Sequence, residues 1–442
     1  MEGGASVKKL LVMDRYGAAL DFVLRAREHG WDVSWYYKET PRNSKIGAGL
    51  HPPLKSLEHA LARLDDHVVW LADNTMWMKE LDRAPHRIGP TLESAKLELD
   101  RQDGQAFLQE WGVKTLPSEE FTSYDKAIAH VEKHPVRYVS KPCGDADKAL
   151  TYVSKSASDM VYMLERWKKA KKKVGLFILQ PFVKGIEMAI GGFLTPSGFR
   201  GPWHENFEFK KLMNGEKGVN TGEMGTVWHT THRSKLAQKI LAPLEKGLMK
   251  LGHTGYVDVN CIIDEKGRPW PLEFTMRPGW PSVNIQLGLL GKRDPVRAWE
   301  TGAFPEGTCT GVVVAIPDFP YSSYTAKEVN GVPLYHIDPL SDRHHLLECQ
   351  LEEKVPSMEN GKVVRAPQIT SAGDYLFVGT GRGATVEVSR KKAYAAVEEV
   401  EIPSSPMYRT DIGERLGRQL SRLHAMGYST TLHYGKPSLE RG

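Results

Sequence analysis

The chain has 442 residues, of which 40% are hydrophobic and 26% are charged, and its formal net charge is +5. This composition is typical of a soluble globular protein, excludes a disordered chain, and at roughly 150 residues per domain predicts about three domains. No apolar run approaches the ~20 residues of a transmembrane helix, and the N-terminus lacks the long apolar region of a signal peptide. The four cysteines are scattered without a CxxC pair. A secreted disulfide scaffold is therefore excluded, and we expect a cytoplasmic protein.

The first 90 residues alternate between strand-like and helix-like segments. Buried strands are predicted over Lys9–Met13, Asp32–Tyr37 and His67–Ala72, and a helix over Ala18–His29. Strands that alternate with helices indicate a parallel sheet covered by helices. We therefore place a first α/β domain at residues 1–90.

The middle of the chain, residues 91–302, mixes helices with hairpins. We expect one charged helix, a first hairpin, a long polar loop and a second hairpin, at Leu92–Gln109, Val136–Val153, Asn206–Gly225 and Gly255–Phe274 respectively. After residue 302 the pattern changes to short strands, which predicts a small β-rich domain over residues 303–442. Within it, Gly379–Gly383 lacks the GK[ST] of a P-loop and is predicted to be a hairpin turn.

Two segments have residue types that suit a nucleotide. Lys141 and Lys148 flank a polar loop and could bind phosphates as point charges, although ordinary surface lysines are the alternative. The short linker Gln180–Glu187 could present backbone groups to a base edge, and the Glu187 carboxylate could accept from ribose hydroxyls. The alternative for this linker is a plain surface connection.

The second hairpin contains a candidate metal site. Asp258 and Asn260 share a face because side chains alternate along a strand, and Glu273 can face them from the next strand. Oxygen ligands of this kind suit Mg²⁺, which commonly uses one or two carboxylates plus substrate phosphates. A charged strand edge is the competing interpretation. The polar loop Lys210–Gly225 could offer backbone amides to an anion and close over a substrate.

In this order, these features resemble the ATP-grasp ligases, and specifically the glycinamide ribonucleotide synthetase family of purine synthesis. The most specific match is Asn214–Gly225, which is similar to the family's DGDKGPNTGGMG signature. Five further segments resemble its GPT/ESSK, EEFLEGEE, IEFNARFG, RAYEAV and YRTDIG motifs, namely Gly89–Lys96, Gln180–Glu187, Leu272–Gly279, Ala393–Val397 and Tyr408–Gly413. The resemblance covers residues 88 to 415.

The resemblance implies an α/β and α+β multidomain fold: an N-terminal α/β pre-ATP-grasp domain, an ATP-grasp core of two α+β lobes with a mobile lobe at about residues 135–190, and a small β-rich C-terminal domain. It implies an ATP- and Mg²⁺-dependent ligase, with Mn²⁺ as a substitute, that forms an amide through an acyl phosphate. The implied ATP-binding residues are Arg101, Lys141, Lys148, Gln180, Phe182, Glu187 and Lys210. The implied metal ligands are Glu273, Asn260, Asp258 and Thr275, and the implied catalytic residues are Arg277, Lys211, Asn220 and Thr221.

The departures from the family fall mainly on substrate positions. Met13–Leu20 lacks the glycine pair of the family's GSGGREHAL loop, Glu223 stands at a glycine position, and Gly279–Ser282 replaces GDPE. Thr275 replaces a metal-binding asparagine and Gln180 replaces a glutamate. We therefore expect ATP chemistry to be retained while the acceptor differs.

Three functions remain open from the sequence. The chain joins glycine or a similar amino acid to an amine on a phosphoribosyl or nucleotide-type acceptor, or aminoacylates a modified nucleotide or DNA base, or binds nucleotides or nucleic acid without catalysis. The expected partners are a small carboxylate and an amine, without a membrane, in a monomer or homodimer. Nucleic acid is an allowed partner because of the basic run Arg166–Lys173, although a solvated helix face is the commoner explanation. We expect no metal site at His344, His345, Glu348 and Cys349, whose spacing matches no standard zinc pattern.

Overall fold

The computed structural model describes residues 8–73, 76–142, 151–170, 175–321, 329–403 and 405–435. Within these ranges the strands form three sheets and two separate hairpins. None of the helices in the same ranges is long and apolar enough to cross a bilayer.

The N-terminal segment forms a parallel four-stranded sheet in the order β2-β1-β3-β4, as the alternating pattern predicts. Its strands are β1 (Lys9–Asp14), β2 (Asp32–Tyr37), β3 (Val68–Leu71) and β4 (Arg87–Ile88), and its helices are α1 (Leu20–Glu28), α2 (Leu57–Leu61) and α3 (Met78–Leu81). Ligands of parallel sheets bind beyond the carboxyl ends of the strands. The loop from β1 to α1 is therefore in the position of a ligand-binding loop.

Helix α1 packs between this sheet and later parts of the chain. The Phe22 ring stacks on Trp70 with centroids 3.8 Å apart and meets the edge of Trp299 at 5.5 Å. The buried Asp21 carboxylate contacts both Arg25 at 2.8 Å and His345 at 2.7 Å. Buried charges are tolerated when they are paired in this way. The Asp21–His345 contact therefore holds α1 against the C-terminal segment.

Two helices replace the single helix predicted over Leu92–Gln109. They are α4 (Leu92–Leu99) and α5 (Arg101–Glu110). The single-helix prediction is wrong because Asp100 between them has an extended backbone and caps α5, accepting hydrogen bonds from the amides of Gln102 and Asp103 at 2.7 and 3.2 Å. Arg101 thereby becomes the first residue of α5.

A small antiparallel sheet in the order β5-β8-β6-β7 forms a separate lobe. Its strands are β5 (Glu119–Phe121), β6 (Tyr138–Pro142), β7 (Tyr152–Val153) and β8 (Phe177–Pro181), and its helices are α6 (Tyr124–Lys133) and α7 (Ala157–Lys169). The predicted pairing of β6 with β7 is confirmed. The lobe has its own buried core, in which Phe177 and Leu164 are fully buried.

The largest sheet has eight antiparallel strands in the order β15-β14-β9-β10-β13-β16-β20-β17. They are β9 (Gly185–Thr195), β10 (Gly198–Glu208), β13 (Gly225–Thr231), β14 (Gly255–Asp264), β15 (Pro269–Thr275), β16 (Gly307–Ala315), β17 (His344–Leu346) and β20 (Tyr375–Gly383). The predicted turn at Gly379–Gly383 is wrong, because these residues lie inside β20 and pair with Thr308–Val312 of β16. Strands from both sides of residue 302 pair with one another in this sheet, because β13 pairs with β16. Residues after 302 therefore extend the sheet that the middle segment begins. The boundary at residue 302 stays a prediction.

Helices and two hairpins complete the fold. The helices are α8 (Lys235–Ile240), α9 (Glu245–Lys250), α10 (Ser282–Leu290), α11 (Pro295–Thr301), α12 (Val386–Glu398) and α13 (Leu416–Ala425), and a short 3-10 turn lies at Ala242–Leu244. The hairpins are β11 (Lys211–Met213) with β12 (Lys217–Asn220), and β18 (Cys349–Glu359) with β19 (Lys362–Ser371). The first hairpin replaces most of the polar loop predicted at Asn206–Gly225, because β10 extends to Glu208 and the glycines supply the turn.

Candidate active site

A cluster of carboxylates and amines lies on one face of the large sheet. Antiparallel pairing sets Asn260 directly opposite Glu273 on β15 and Ala189 on β9, as the hairpin reading predicts for Glu273. The Asn260 amide nitrogen donates to Glu187 and to Glu208, at 3.2 Å in each case. Asn260 on β14 thus joins carboxylates from the consecutive strands β9 and β10.

Lys210 neutralises these carboxylates. Its Nζ is 2.8 Å from Glu208 Oε2 and 3.4 Å from Glu187 Oε1. Burial alone would lower the pKa of Lys210, but the carboxylates of Glu208, Glu187 and Glu273 outweigh it, and the pKa lies above its usual value. Lys210 is therefore a permanent cation of this cluster.

Glu273 is held by Arg101, the residue that begins α5. Arg101 Nη2 lies 3.2 Å from Glu273 Oε2, and Arg101 Nη1 donates to the Leu272 carbonyl at 3.2 Å. Burial raises the pKa of Glu273, but Lys210, Arg101 and Lys141 reverse this effect, so that the net shift is downward. Glu273 is consequently an ionised carboxylate surrounded by cations.

Asp258 and Asn260 are differently available to a metal. Tyr256 and Asn206 both donate to Asp258 Oδ2, at 2.8 and 2.9 Å, and burial together with Glu208 raises the pKa of Asp258 to about 7. The buried Oδ1 of Asn260 has no hydrogen-bond partner among the described residues. An orphaned buried oxygen beside an ionised carboxylate suits a hard cation such as Mg²⁺. No group of three or more His, Cys, Asp or Glu side chains arranged for a metal occurs in the described ranges.

Lys141 approaches the cluster from the small lobe. It lies on β6, and its Nζ donates to Gln180 Oε1 on β8 at 3.2 Å. Burial and the neighbouring Arg101 lower the pKa of Lys141 to about 8, with Glu273 and Glu187 acting in the opposite direction. The small lobe and the large sheet therefore face one another across a space that is bordered by cationic and anionic side chains.

The remaining nucleotide candidates are less closely tied to the cluster. The Phe182 amide donates to the Arg137 carbonyl at 2.8 Å, and the Arg137 guanidinium covers the Phe182 ring at 3.4 Å from its centroid. This fixes the ring at the end of β8, where the linker to β9 begins. Lys148 lies outside the described residues.

The hairpin β11–β12 contains the candidates Lys211, Asn220 and Thr221. Lys211 and Asn220 are register partners, and Asn220 is exposed. The Thr221 amide and hydroxyl both donate to the Lys210 carbonyl, at 2.8 and 2.9 Å. In this structure Thr221 closes the base of the hairpin next to the Lys210 cluster, and the catalytic roles of all three residues stay predictions.

The C-terminal motif Tyr408–Gly413 holds the tip of the same hairpin. Asn214 Nδ2 donates to Thr410 Oγ1 at 2.6 Å, and the Gly215 amide donates to Asp411 Oδ2 at 2.8 Å. Arg409, which is 1% exposed, donates to the Lys211 carbonyl and pairs with Glu216, both at 2.9 Å. Two motifs that are separate in the sequence therefore form one structural unit.

Two cavities adjoin the cluster. The first, of about 560 Å³, is bordered by Arg101, Glu273 and Thr275, and we call it the Glu273 cavity. The second, of about 970 Å³, is bordered by Trp280 and Tyr375, and we call it the Trp280 cavity. Both cavities are also bordered by Arg15, Tyr16 and Asp73, from the loops that follow β1 and β3.

Arg277 lines both cavities. Its Nη2 is 3.0 Å from Glu98 Oε1 on α4, and its Nη1 donates to the Pro278 carbonyl at 3.0 Å. Thr275 lies opposite Asp258 on the neighbouring strand. It lines the Glu273 cavity but not the Trp280 cavity. A guanidinium held at the junction can contact anionic groups from either side.

Glu223, one of the departures noted above, is buried at the foot of the hairpin. It is 3% exposed, its Oε2 accepts from Ser282 Oγ at 3.3 Å, and its Oε1 has no partner among the described residues. Burial, followed by the charge of Glu208, raises its pKa well above the usual value. Glu223 therefore adds a protonatable acid between the cluster and the start of α10.

Sequence reasoning missed several residues of this site. Glu208 was hidden because the segment from residue 206 onward looked like a polar loop, although an alternating pattern at the end of β10 could have revealed it. Glu98 carries no local signal, because it pairs with Arg277 from a distant helix. Tyr256 lies two residues before Asp258 on the same strand, so the period of two could have revealed that it faces Asp258.

The other singled-out motifs have structural explanations. His345 is buried against Asp21 and Thr380, and His344 contacts the Ala396 carbonyl at 3.0 Å. In the described part of the basic run, Lys168 pairs with Asp125 on the neighbouring helix at 2.5 Å.

Comparisons with known proteins show which sequences this chain is similar to. Residues 100–283 match the model of the phosphoribosylglycinamide synthetase ATP-grasp (A) domain. A phosphoribosylamine–glycine ligase of Ralstonia nicotianae is 25% identical over 360 residues, which cover 75% of this chain and 79% of that protein.

Solved structures share the fold. A phosphoribosylamine–glycine ligase from Thermotoga maritima superposes with a TM-score of 0.67 at 20% identity, covering 92% of this chain and all of that one. The biotin carboxylase domain of Hydrogenobacter thermophilus 2-oxoglutarate carboxylase, solved with MgADP, ADP and bicarbonate, gives a TM-score of 0.57 at 14% identity, covering 90% of this chain and 91% of that one.

Proposed function

We propose that this chain is an ATP-grasp ligase that joins the carboxyl group of glycine or a similar small amino acid to an amine, and its resemblance to the phosphoribosylamine–glycine ligases supports this proposal. The observation that carries the proposal is the position of Arg277. It borders both the cavity next to the charged cluster and the larger cavity under the N-terminal sheet. A group at this junction can contact the phosphate end of a nucleotide and the reacting carboxyl group together.

ATP occupies the space between the small lobe and the large sheet. Lys141 and Lys210 contact its phosphates, because ammonium groups in a partly dry site bind phosphate oxygens strongly. Gln180 and Glu187 contact the adenosine end, with the Phe182 ring beside the base. Arg101 adds positive charge from the start of α5, and Lys148, which lies outside the described residues, remains a candidate from the sequence alone.

Glu273 and the Asn260 amide oxygen are the protein groups that would hold Mg²⁺. The ionised state of Glu273 and the orphaned Oδ1 of Asn260 support this choice. Asp258 is the register partner of Thr275, and the Thr275 hydroxyl is a further oxygen on the same face of β15 as Glu273. When bound, the ion neutralises phosphate charge and orients the phosphates.

The reaction forms and breaks two bonds. An oxygen of the amino-acid carboxylate attacks the γ-phosphorus of ATP, which gives an acyl phosphate and releases ADP. The amine nitrogen then attacks the acyl carbon, phosphate leaves, and the nitrogen loses one proton to solvent. Arg277 stabilises the negative charge of the acyl phosphate, and such stabilisation is commonly the largest catalytic contribution. Lys211, Asn220 and Thr221 order the hairpin over this point.

The test is release of ADP and phosphate from MgATP in the presence of an amino acid and a panel of amines. Glycine with phosphoribosylamine is the first pair, and glycine with amino-substituted nucleosides and nucleotides is the second. We expect ADP release that requires both the amino acid and one amine, together with a new amide detected by mass spectrometry. Absence of turnover across the panel, in a protein that still binds MgATP, would contradict the proposal.

A further inference from the structure

The Trp280 cavity has rigid aromatic walls. Tyr16, Trp280 and Tyr375 border it. The Trp280 indole donates to the Ala72 carbonyl at 3.3 Å, and the Tyr375 ring stacks on Phe319 with centroids 5.4 Å apart and planes 11° apart. Aromatic side chains that are fixed from behind favour flat rings by stacking.

The N-terminus of α1, at the edge of this cavity, is already occupied by a carboxylate of the chain itself. Asp14 is 2% exposed, and it accepts hydrogen bonds from the amides of Tyr16 at 3.0 Å and Ala19 at 2.7 Å. Ala19 is the N-cap residue of the nine-residue helix α1 and has no side-chain oxygen to satisfy these amides. The start of a helix after a parallel strand is where an external phosphate would otherwise bind.

A substrate phosphate at this point would have to displace the Asp14 carboxylate. The displaced carboxylate would lose both amides while remaining beside a second anion, and like charges in such contact are strongly unfavourable. The helix N-terminus is therefore satisfied internally.

The three arginines that border the cavity do not form a phosphate site in place of the helix N-terminus, because each already contacts another side chain. Arg42 lies 3.5 Å from Asp374, Arg277 lies 3.0 Å from Glu98, and the Arg15 guanidinium stands over the Tyr16 ring at 4.7 Å. Three acids, Asp14, Asp73 and Glu348, border the same cavity as these three arginines. Acidic side chains thus stand beside the arginines on the walls of this cavity.

We propose that the amine acceptor of this protein is a flat-ring amine without a phosphate group at the α1 end, and that Asp14 is the residue that excludes phosphorylated acceptors. The proposal rests on the proposed ligase function. It places the ring between Trp280 and Tyr375 and leaves the amine directed towards Arg277. Asp14 acts as a specificity-determining residue and takes no part in the bond changes.

The activity test compares acceptors that differ only in a phosphate. An aminomethyl-substituted pyrimidine nucleoside and its 5′-monophosphate are supplied with glycine and MgATP, and phosphoribosylamine is supplied separately. We expect kcat/KM for the nucleoside to exceed that for its 5′-phosphate by at least about tenfold. Equal values, or a preference for either phosphorylated amine, would overturn the inference and leave the ligase function intact. No ADP release with any amine would instead count against the ligase function.

A binding test decides the inference even without turnover. Ribose 5-phosphate is titrated into the full chain by calorimetry while a non-hydrolysable ATP analogue and Mg²⁺ occupy the nucleotide side. We expect no binding by the native protein and measurable binding by Asp14→Ala, which exposes the two amides. Asp14→Asn keeps an oxygen for these amides without the charge, and should fall between the two. Binding by the native protein that is as tight as in Asp14→Ala would overturn the inference.

Discussion

Lys141 offers a sharp test of the nucleotide site, because its pKa near 8 makes its charge titratable in an accessible range. A hydrogen bond to a charged group contributes about 1.5–3 kcal/mol. Lys141→Met, which keeps the length of the side chain, should therefore weaken ATP binding by about 10- to 150-fold.

The pH dependence has a definite sign. The ammonium form of Lys141 is present below its pKa and is lost as the pH rises through about 8. The ATP affinity of the native protein should then fall by about tenfold for each further pH unit. Lys210 does not contribute to this decline, because its carboxylate neighbours hold its pKa above the usual value.

The assay is calorimetric titration of MgATP from about pH 6.5 to about pH 9.5. Lys141→Arg retains a positive charge over this range and should give a flat profile. Lys168→Met is the matched control, because Lys168 belongs to the same lobe but pairs with Asp125 on its outer surface. A flat native profile above pH 8, or an equal loss in the Lys168 variant, would refute the reasoning.

Three further changes test the rest of the site. Glu273→Gln should raise the Mg²⁺ concentration for half-maximal ADP release by at least about tenfold, and an unchanged Mg²⁺ titration would exclude Glu273 as a ligand. Arg277→Met should lower kcat/KM by about 10²–10³-fold while the Kd for MgATP changes little, and a parallel loss of ATP binding would assign Arg277 to the nucleotide instead. Burial raises the pKa of Glu348 to about 7, so its stabilising effect is complete below the ordinary glutamate value and is lost as the pH rises through 7. Glu348→Gln should therefore flatten the decline in unfolding free energy between pH 5 and pH 8, by up to about 3 kcal/mol, in denaturant titrations at each pH.

Local patterns were sufficient for part of the fold. The alternation of segments predicts the parallel N-terminal sheet, and the period of two along a strand predicts the facing of Asn260 and Glu273. The hairpin of β6 and β7 follows from its flanking turn residues. In each case the information lies within one segment or between close neighbours.

The missed features depend on contacts that only the folded chain creates. Glu208 belongs to the site because β10 pairs with β9 and the Asn260 side chain from β14 bonds to both Glu187 and Glu208. Asp14 ends a strand as an ordinary turn residue would, and its bonds to the start of α1 emerge only in three dimensions. The single helix predicted through Asp100 failed for the opposite reason, because a strong local cap was overlooked.

The contacts of Arg409 with the β11–β12 hairpin have a consequence for folding during synthesis. The contacts between the hairpin tip and the C-terminal motif span 196 residues. A nascent chain on the ribosome can thus complete the strands of the nucleotide face long before the segment that holds the hairpin has been synthesised. Contacts of such long range form late in folding because they must close a large loop. Any chain halted before Arg409 would lack these contacts, so the hairpin is held in place only after the C-terminal motif has been synthesised.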